Sequence, residues 1–439
     1  MNPVASQERI ASIDVLRGVA LLGILLMNIQ DFGLPGRAYE NPLAAGGAEG
    51  ANLGYWFANQ MFFEGKMRAI FTMLFGASFL VLTGRAEGRG IESQLQMPDI
   101  YYRRTIWLIV FGMVHAYFVW TGDILFEYGM AGLFLFPLRK LSAKRLAVTA
   151  GVILMLATLK PLYDGFDFLK TKREGVEALA AEKAGKKLTW KQEQAKEKWE
   201  GLQKDRKLDP EKIQKDINQH RLGYWANFEK RSADVWANQA NAFYQWGTTD
   251  VVPVMLLGMA LFKWGVFGAG LPVKVYARMV ILGYGLGVPV NWYVAMDAYG
   301  VRWDPLREPW WGWLVYDYGR VTVALGHIGL VMLICQKGWL TWLTRRLGAV
   351  GQMALTNYLL TSVVMTFYFN GYGFSQFGKL ERHQLLYVAA AMWTVNLLIS
   401  KPWLARYRFG PMEWLWRSLT YWEKQPWKIE EQKTEMAHA

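Results

Sequence analysis

The sequence has little cysteine and few charged residues, and each of these shortages limits the kinds of protein that the chain can be. Cys335 is the single cysteine, so no intrachain disulfide forms and the compartment cannot be read from cysteine chemistry. Charged residues make up only 19% of the chain against 53% hydrophobic residues, a balance that is foreign to soluble globular domains. A soluble globular domain is therefore excluded.

Several catalytic motifs are also missing. Neither a His-Glu-x-x-His pair nor a Cys-x-x-Cys pair occurs, so a zinc site is disfavoured and no metal is predicted. The Gly-Lys-Ser/Thr ending of a phosphate-binding loop and the Gly-x-Ser-x-Gly elbow are absent too. The motifs of P-loop nucleotide hydrolases and of serine hydrolases therefore do not explain this chain.

Long apolar stretches dominate what is present. Stretches of membrane-spanning length recur about ten times. They lie near 13–31, 67–83, 104–121, 123–138, 145–163, 251–269, 276–296, 313–335, 347–369 and 384–404. We therefore predict an all-α fold: a polytopic helical membrane protein with about ten transmembrane helices and a helical extracytoplasmic insertion. Two transmembrane groups at 1–164 and 251–410 are expected to flank an amphipathic cap at 165–250, followed by a cytoplasmic tail at 411–439.

The placement of positive charge predicts the orientation. The net charge of +13 could indicate nucleic acid, but the basic residues cluster in alternate loops and near the C-terminus. The clusters are Arg85, Arg89, Arg103 and Arg104; Arg139, Lys140, Lys144 and Arg145; Arg345 and Arg346; and Lys401, Arg406, Arg408 and Arg417. By the positive-inside rule, both termini are expected to be cytoplasmic. No nucleic-acid partner is predicted.

The segment 165–250 differs in composition from the rest of the chain. It is rich in Lys, Glu and Gln, and tryptophan and phenylalanine recur along it. Its composition favours amphipathic helices, and its aromatic residues suit a membrane interface. We interpret the segment as a lid outside the membrane, whose charges form a solvated helix face.

The first apolar helix carries three polar residues at its ends. Asp14 and Arg17 stand near its start, and Asn28 follows Arg17 by eleven residues, about three turns, on the same helix face. Charged residues within membrane spans are costly and are functional or paired by default. We predict that Asp14 and Arg17 are buried against other helices and paired with each other or with a neighbour, since their three-residue spacing permits a pair on one helix face.

Further polar residues fall at the outer ends of the following helices. Together with the first helix they predict an outer vestibule that contains Asn28, Asp31, Glu64, Lys66, Arg68, His115, Asp123 and Glu127. A histidine beside a carboxylate can act as a general base, so His115 and Asp123 are the candidate pair.

Each of these residues also has a structural interpretation. His115 could bond a neighbouring backbone carbonyl, Asp123 could cap the next helix, and Lys66 and Arg68 could extend to the membrane interface. Asn357 in the ninth predicted span could bond between helices.

Five stretches of the chain together resemble the YeiB-like family of bacterial multi-pass membrane proteins. The first runs from Ser12 to Gly18 and on to Asn28, and the second joins Glu64–Arg68 with Leu74–Ala77. The others are His115 with Gly122–Leu125, Met353–Tyr358, and Gly410–Arg417. They occur in order along nearly the whole chain.

That family is distantly similar to membrane acyltransferases of the heparan-glucosaminide acetyltransferase type. The shared element is the first helix, with Asp14, the pair Arg17-Gly18, and Asn28 near its far end. The acetyltransferase type also uses a histidine soon after that asparagine, whereas residues 29–66 here contain none. His115 is therefore expected to supply the base from the third helix.

The resemblance implies transfer of an acyl group from cytoplasmic acyl-CoA to a small-molecule, glycan or lipid acceptor at the outer face. His115, Asp123 and Asn28 are the expected catalytic residues. The expected substrate-binding residues are Asp14, Arg17, Glu64, Lys66, Arg68, Glu127 and Asn357. A transporter or permease and a non-catalytic membrane binding protein are the alternatives. Membrane lipids are expected partners, and the sequence leaves homo-oligomer formation open.

Overall fold

The computed structural model describes residues 10–87, 91–307 and 311–429. In these ranges the chain is helical and forms no β-strand, which confirms the all-α prediction. The helices up to the cap are α1 (Ala11–Gly33), α2 (Arg37–Glu40), α3 (Gly50–Ala58), α4 (Lys66–Glu87), α5 (Ile91–Phe118), α6 (Leu125–Leu133) and α7 (Ala143–Ala157). The cap region contains α8 (Leu159–Lys183), α9 (Trp190–Arg206), α10 (Pro210–His220) and α11 (Tyr224–Ala237). The second half contains α12 (Val252–Lys263), α13 (Val273–Gly300), α14 (Gly312–Lys337), α15 (Thr341–Gln352), α16 (Ala354–Phe369), α17 (Leu385–Arg406) and α18 (Pro411–Tyr421).

The protein is a polytopic membrane protein, with fewer clear spans than predicted. Six segments of the described chain are long and apolar enough to cross a membrane, and a bent pair of helices makes a seventh. The predicted count of about ten is therefore not confirmed. The predicted span at 123–138 contains α6, whose nine residues extend about 14 Å, short of a hydrocarbon core of about 30 Å.

Helix α1 lies at the centre of the bundle. Its apolar residues surround the helix axis, and it is buried on nearly all sides, as such a pattern predicts. It crosses α15 closely because both helices present glycine. A Cβ atom on Gly18 would lie 2.1 Å from the Leu347 carbonyl oxygen, and one on Gly351 would lie 1.9 Å from the Asp14 carbonyl oxygen. Small residues permit such close helix contacts within membranes.

Helices α15 and α16 form the bent pair. They meet at Met353 at an angle of 83°, so together they make one broken span or a re-entrant loop. The break leaves the first backbone N–H groups of α16 without partners in their own helix.

The cap packs on the bundle through polar contacts. The predicted boundary at 165 falls inside α8, which continues without a break from Leu159 to Lys183. In α10, the Asp216 carboxylate accepts a hydrogen bond from Lys230 Nζ at 2.6 Å and one from the backbone N–H of Gly36 at 3.3 Å. Burial raises the pKa of Asp216, but hydrogen bonds from His220 and Lys230 outweigh it and hold that pKa below its usual value.

Candidate functional site

A polar cavity of about 390 Å³ lies between α1, the start of α4, the α5–α6 connection and the end of α11. Its polar lining residues are Asn28, Asp31, Tyr39, Glu64, Arg68, Thr121, Asp123, Glu127, Asn238 and Gln239. The structure thus brings together most of the predicted vestibule. Its volume is in the range of small-molecule binding sites.

His115 and Asp123 form a hydrogen-bonded pair beside this polar cavity. His115 Nδ1 lies 2.8 Å from Asp123 Oδ1, and Asp123 Oδ2 accepts the backbone N–H of Phe126 at 2.8 Å. Asp123 therefore orients the histidine and also holds the first turn of α6. The two helices approach closely because residue 112 is glycine: a Cβ there would lie 2.2 Å from the Phe126 nitrogen.

The second ring nitrogen of His115 is buried. Nε2 has no hydrogen-bond partner among the described residues, and the side chain is only 1% exposed. Unpaired buried polar atoms are uncommon in folded proteins, so this one requires an explanation. Asp123 and Asn28 line the polar cavity, whereas His115 stands behind its wall, next to the lining residue Ala116. The ring centroids of Tyr358 and Trp120 lie 5.1 and 6.3 Å from that of His115.

Of the described residues, four carboxylates line the polar cavity, against the single arginine Arg68. Asp31 accepts a hydrogen bond from Trp120 Nε1 at 2.9 Å. Glu64 accepts hydrogen bonds from the hydroxyls of Tyr39 and Tyr316 at 3.2 and 3.3 Å. Together with Asp123 and Glu127, these groups favour a ligand that donates hydrogen bonds or carries positive charge.

Arg68 connects the polar cavity to a buried ionic network. Its guanidinium pairs with Asp250 at 2.6 Å, and Asp250 also pairs with Arg320 of α14. Arg320 contacts Asp317 as well, at 2.6 Å. Neither Asp250 nor Arg320 was predicted from the sequence as a member of this ionic network. The signal for Arg320 was an arginine within an apolar span, which by default has a partner or a function.

Lys66 turns away from the polar cavity, which corrects its predicted place in the vestibule. Its Nζ is buried and donates to the Gln60 carbonyl at 2.6 Å and to Asn291 Oδ1 at 2.8 Å. The chain forms a π-helical turn at Asn59–Phe63, just before α4, and such turns leave carbonyl groups open to side-chain donors. Lys66 is positioned to stabilise this turn.

His327 differs from His115 in that both of its ring nitrogens are bonded. Nδ1 lies 2.7 Å from the Tyr284 hydroxyl, and Nε2 lies 2.9 Å from the Phe62 carbonyl oxygen. This is the arrangement of a structural histidine between helices.

The predicted pairing of Asp14 with Arg17 in the first helix is confirmed, whereas Arg17 is half-buried and not fully buried as predicted. Arg17 Nη1 lies 2.8 Å from Asp14 Oδ1, and its Nη2 donates to Ser78 Oγ at 3.0 Å. Asp14 is buried, and Arg17 also approaches the Gly351 carbonyl oxygen at 3.4 Å. Asn28 lines the polar cavity about 16 Å further along the helix axis.

Comparison with known proteins finds relatives that are similar over nearly the whole chain. A family model described as "Protein of unknown function (DUF418)" matches residues 261–423. YxaH of Bacillus subtilis (strain 168) is 29% identical over 97% of this chain and 98% of its own length. YeiB of Escherichia coli (strain K12) is 29% identical over 94% of this chain and 96% of its own length. The predicted resemblance to YeiB-like proteins therefore extends over nearly the whole chain. Both relatives carry the description "Uncharacterized protein", and no solved structure matches the chain significantly.

The range matched by the family model contains the broken helix. Asn357, predicted to bind substrate, does not line the polar cavity; its Nδ2 donates to the Val350 carbonyl at 3.1 Å and to Ser400 Oγ at 3.0 Å. These contacts fit the alternative interpretation of Asn357 as a bond between helices.

The C-terminal helix α18 closes the break between α15 and α16. Glu413 of α18 accepts the backbone N–H groups of Leu355 and Thr356 at 2.6 and 3.1 Å, and the Thr356 hydroxyl at 2.5 Å. It therefore satisfies the free N-terminus of α16 from a helix that is more than fifty residues away. Sequence reasoning missed this role, although Glu413 belongs to one of the stretches that carry the family resemblance.

Proposed function

We propose that this protein is a membrane-bound acyltransferase, which moves an acyl group from cytoplasmic acyl-CoA to an acceptor at the outer face of the bacterial cytoplasmic membrane. The single observation that carries the proposal is the buried His115–Asp123 pair, with His115 Nε2 unpaired beside a cavity that Asn28 also lines. A base held by a carboxylate through one nitrogen, with its other nitrogen free, is the arrangement that activates hydroxyl or amine nucleophiles.

The acceptor oxygen or nitrogen bonds to the thioester carbonyl carbon and loses its proton to His115 Nε2. The carbon–sulfur bond then breaks, and coenzyme A leaves as a thiolate that regains the proton. Asn28 donates a hydrogen bond to the oxyanion between these events, and Asp123 stabilises the imidazolium.

The donor is proposed to enter from the opposite end of α1. Arg17 and the basic loops would bind the donor's phosphates, since guanidinium groups pair strongly with phosphate. This assignment requires both termini in the cytoplasm and residues 165–250 outside. A reporter enzyme fused after Lys230 tests that orientation. If a reporter that is active only in the cytoplasm proves active at this position, the orientation is wrong.

Access to His115 needs a local rearrangement. The imidazole is almost fully covered, so the acceptor reaches Nε2 only when neighbouring side chains such as Trp120 move. Catalytic hydrogen bonds often form only in the complex with substrate, and the closed geometry therefore agrees with the proposal.

The test compares His115 with the second histidine that lies within an apolar helix, His327. Purified protein in proteoliposomes receives radiolabelled acetyl-CoA, and both free thiol and label transferred to lipid or glycan are measured. His115→Gln should lower turnover about a hundredfold or more, which is the usual contribution of a general base. His327→Gln is the control, because it changes a half-buried histidine whose two nitrogens are already bonded. Equal activity of His115→Gln and the unmodified protein would refute the proposal.

Transport is the second candidate, and the broken helix favours it. The 83° break between α15 and α16 resembles the discontinuous helices that form the binding sites of many transporters. However, a glutamate of the chain itself occupies the α16 terminus. The same proteoliposomes distinguish the two functions: acyl transfer cleaves the thioester, whereas transport moves a labelled substrate without chemical change.

A further inference from the structure

Helix α11 presents three distinct faces. At 100° per residue, Asn227, Arg231 and Val235 share one side, and all three are buried against the bundle. Trp225 and Trp236 share a neighbouring side and are 71% and 69% exposed. Lys230 and Asp234 lie on a third side, which is polar. An exposed pair of tryptophans beside a charged face is typical of a helix that lies in a membrane interface.

The exposed tryptophans continue an apolar surface of the bundle. Val110, Val114 and Phe118 form an exposed stripe along α5, one turn apart from each other. The Phe118 ring lies 5.3 Å from that of Phe228, which in turn lies 5.9 Å from the ring of Trp225. In a polytopic membrane protein such an exposed apolar stripe contacts lipid acyl chains. The tryptophans of α11 therefore stand where that surface ends.

A buried arginine fixes α11 in this position. Arg231 donates to the carbonyl oxygens of Tyr117, Phe118 and Val119 at 2.9, 3.2 and 3.1 Å. These are the free carbonyl groups at the end of α5, where the helix dipole favours a cation. Helix α11 is thus fastened across the end of the lipid-facing helix.

The same helix forms a wall of the polar cavity. Val235 lines the cavity from the buried face of α11, and Asn238 and Gln239 line it just beyond the end of that helix. Helix α11 therefore carries the exposed tryptophans on one side and contributes to the cavity wall with another.

From this placement we infer that α11 lies in the outer membrane interface and that the polar cavity receives the head group of a lipid-borne acceptor. The acceptor's acyl chains would lie along α5 and the tryptophan face, and its hydrogen-bond donors would meet the carboxylates of the cavity. The acceptor role rests on the proposed acyl transfer, whereas the position of α11 and the entry of a lipid head group do not.

The first experiment measures the position of α11 without any enzymatic activity. In a Cys335→Ser background, single cysteines are introduced by Trp225→Cys and Trp236→Cys, with Asp234→Cys on the polar side as the control. Each variant is labelled with an environment-sensitive fluorophore and reconstituted in vesicles of phosphatidylethanolamine and phosphatidylglycerol. Size-exclusion profiles in detergent confirm that the variants are folded. Spin-labelled phosphatidylcholine should then quench the probe at 225 and 236, but not at 234.

Two outcomes of this experiment would overturn the inferred position of α11. Blue-shifted emission without quenching by lipid would show that a second copy of the chain covers the tryptophan face, and it would overturn the inference. Water-like emission at 225 and 236 would show a solvated face and would overturn it as well.

The second experiment tests entry of the head group. Phosphatidylethanolamine that carries a diazirine on its amine is cross-linked in the same vesicles, and the labelled peptides are identified by mass spectrometry. We expect labels on peptides that contain Asn28 and Gln239, and loss of those labels in the Trp225→Glu/Trp236→Glu variant. Labels confined to the outer surfaces of α5 and α7 would refute entry. If cross-linking succeeds while acyl transfer fails, the lipid site stands and only the proposed chemistry is wrong.

Discussion

The cap that Glu413 places on α16 gives a prediction whose size follows from the structure. The carboxylate accepts three hydrogen bonds, from two backbone N–H groups and the Thr356 hydroxyl. Replacement by alanine leaves these donors without their partner at the 83° break, where their own helix offers no substitute.

The expected loss is larger than for an ordinary surface helix cap. Hydrogen bonds to charged groups contribute about 1.5–3 kcal/mol each, but contributions within one cluster do not add fully, and water can reach part of an opened site. A helix cap alone is worth about 1 kcal/mol. We therefore expect Glu413→Ala to lower the free energy of unfolding by about 3 kcal/mol, which corresponds to about a hundredfold in the unfolding equilibrium. Glu413→Gln retains an acceptor oxygen and should lose about half as much.

Unfolding by sodium dodecyl sulfate in mixed micelles, followed by circular dichroism, measures these differences. Glu423→Ala is the matched control, because Glu423 lies in the same C-terminal segment but is exposed, and its change should stay within about 0.5 kcal/mol. A Glu413→Ala protein as stable as this control would refute the argument that α18 supports the broken helix.

Three other predictions follow from single contacts. Hydrogen bonds hold the pKa of Asp216 low, so the stability that this carboxylate contributes is present above a pH of about 4 and is lost as the pH falls below that value. The Asp216→Asn variant should therefore lose this part of the acid sensitivity of the cap. Hydrogen exchange between pH 3 and 6 measures the difference. Gly351→Ala should destabilise the protein by about 1–3 kcal/mol, since the new Cβ would lie 1.9 Å from the Asp14 carbonyl oxygen; an unchanged melting temperature would show that α1 and α15 can separate without cost. Asp250→Asn should lower the free energy of unfolding by about 3–5 kcal/mol, because the buried guanidinium group of Arg320 loses a negatively charged partner. The double variant Asp250→Asn/Arg320→Met should recover part of that loss in the same unfolding assay.

Local spacing explains which parts of the site could be predicted. Asp14 and Arg17 are three residues apart on one helix, and that geometry alone brings their side chains together. His115 and Asp123 are separated by one tight connection, so a fold of the chain at Gly122 was enough to suggest their contact. The helical class itself follows from apolar stretches whose length matches a membrane.

Distance along the chain explains the rest. Asp250 pairs with Arg68 and Arg320, which lie 182 and 70 residues away, and no periodicity encodes such a partner. The sequence position of Lys66 predicted that its side chain lies in the vestibule. In the structure, however, its Nζ donates a hydrogen bond to a carbonyl group of a π-helical turn outside the cavity. The number of spans also depends on helix lengths that apolar content alone does not decide.

The sequence by itself determined that the chain is a helical membrane protein and which polar residues stand at the ends of its first helices, because hydrophobicity and helical period are local properties. Only the tertiary structure decided which of those residues share a cavity and which carboxylate neutralises which arginine. It also decided that Glu413 closes the break before α16. Those pairings depend on how helices cross, and the crossings are set by close contacts such as Gly18 on Leu347, between residues far apart in the chain.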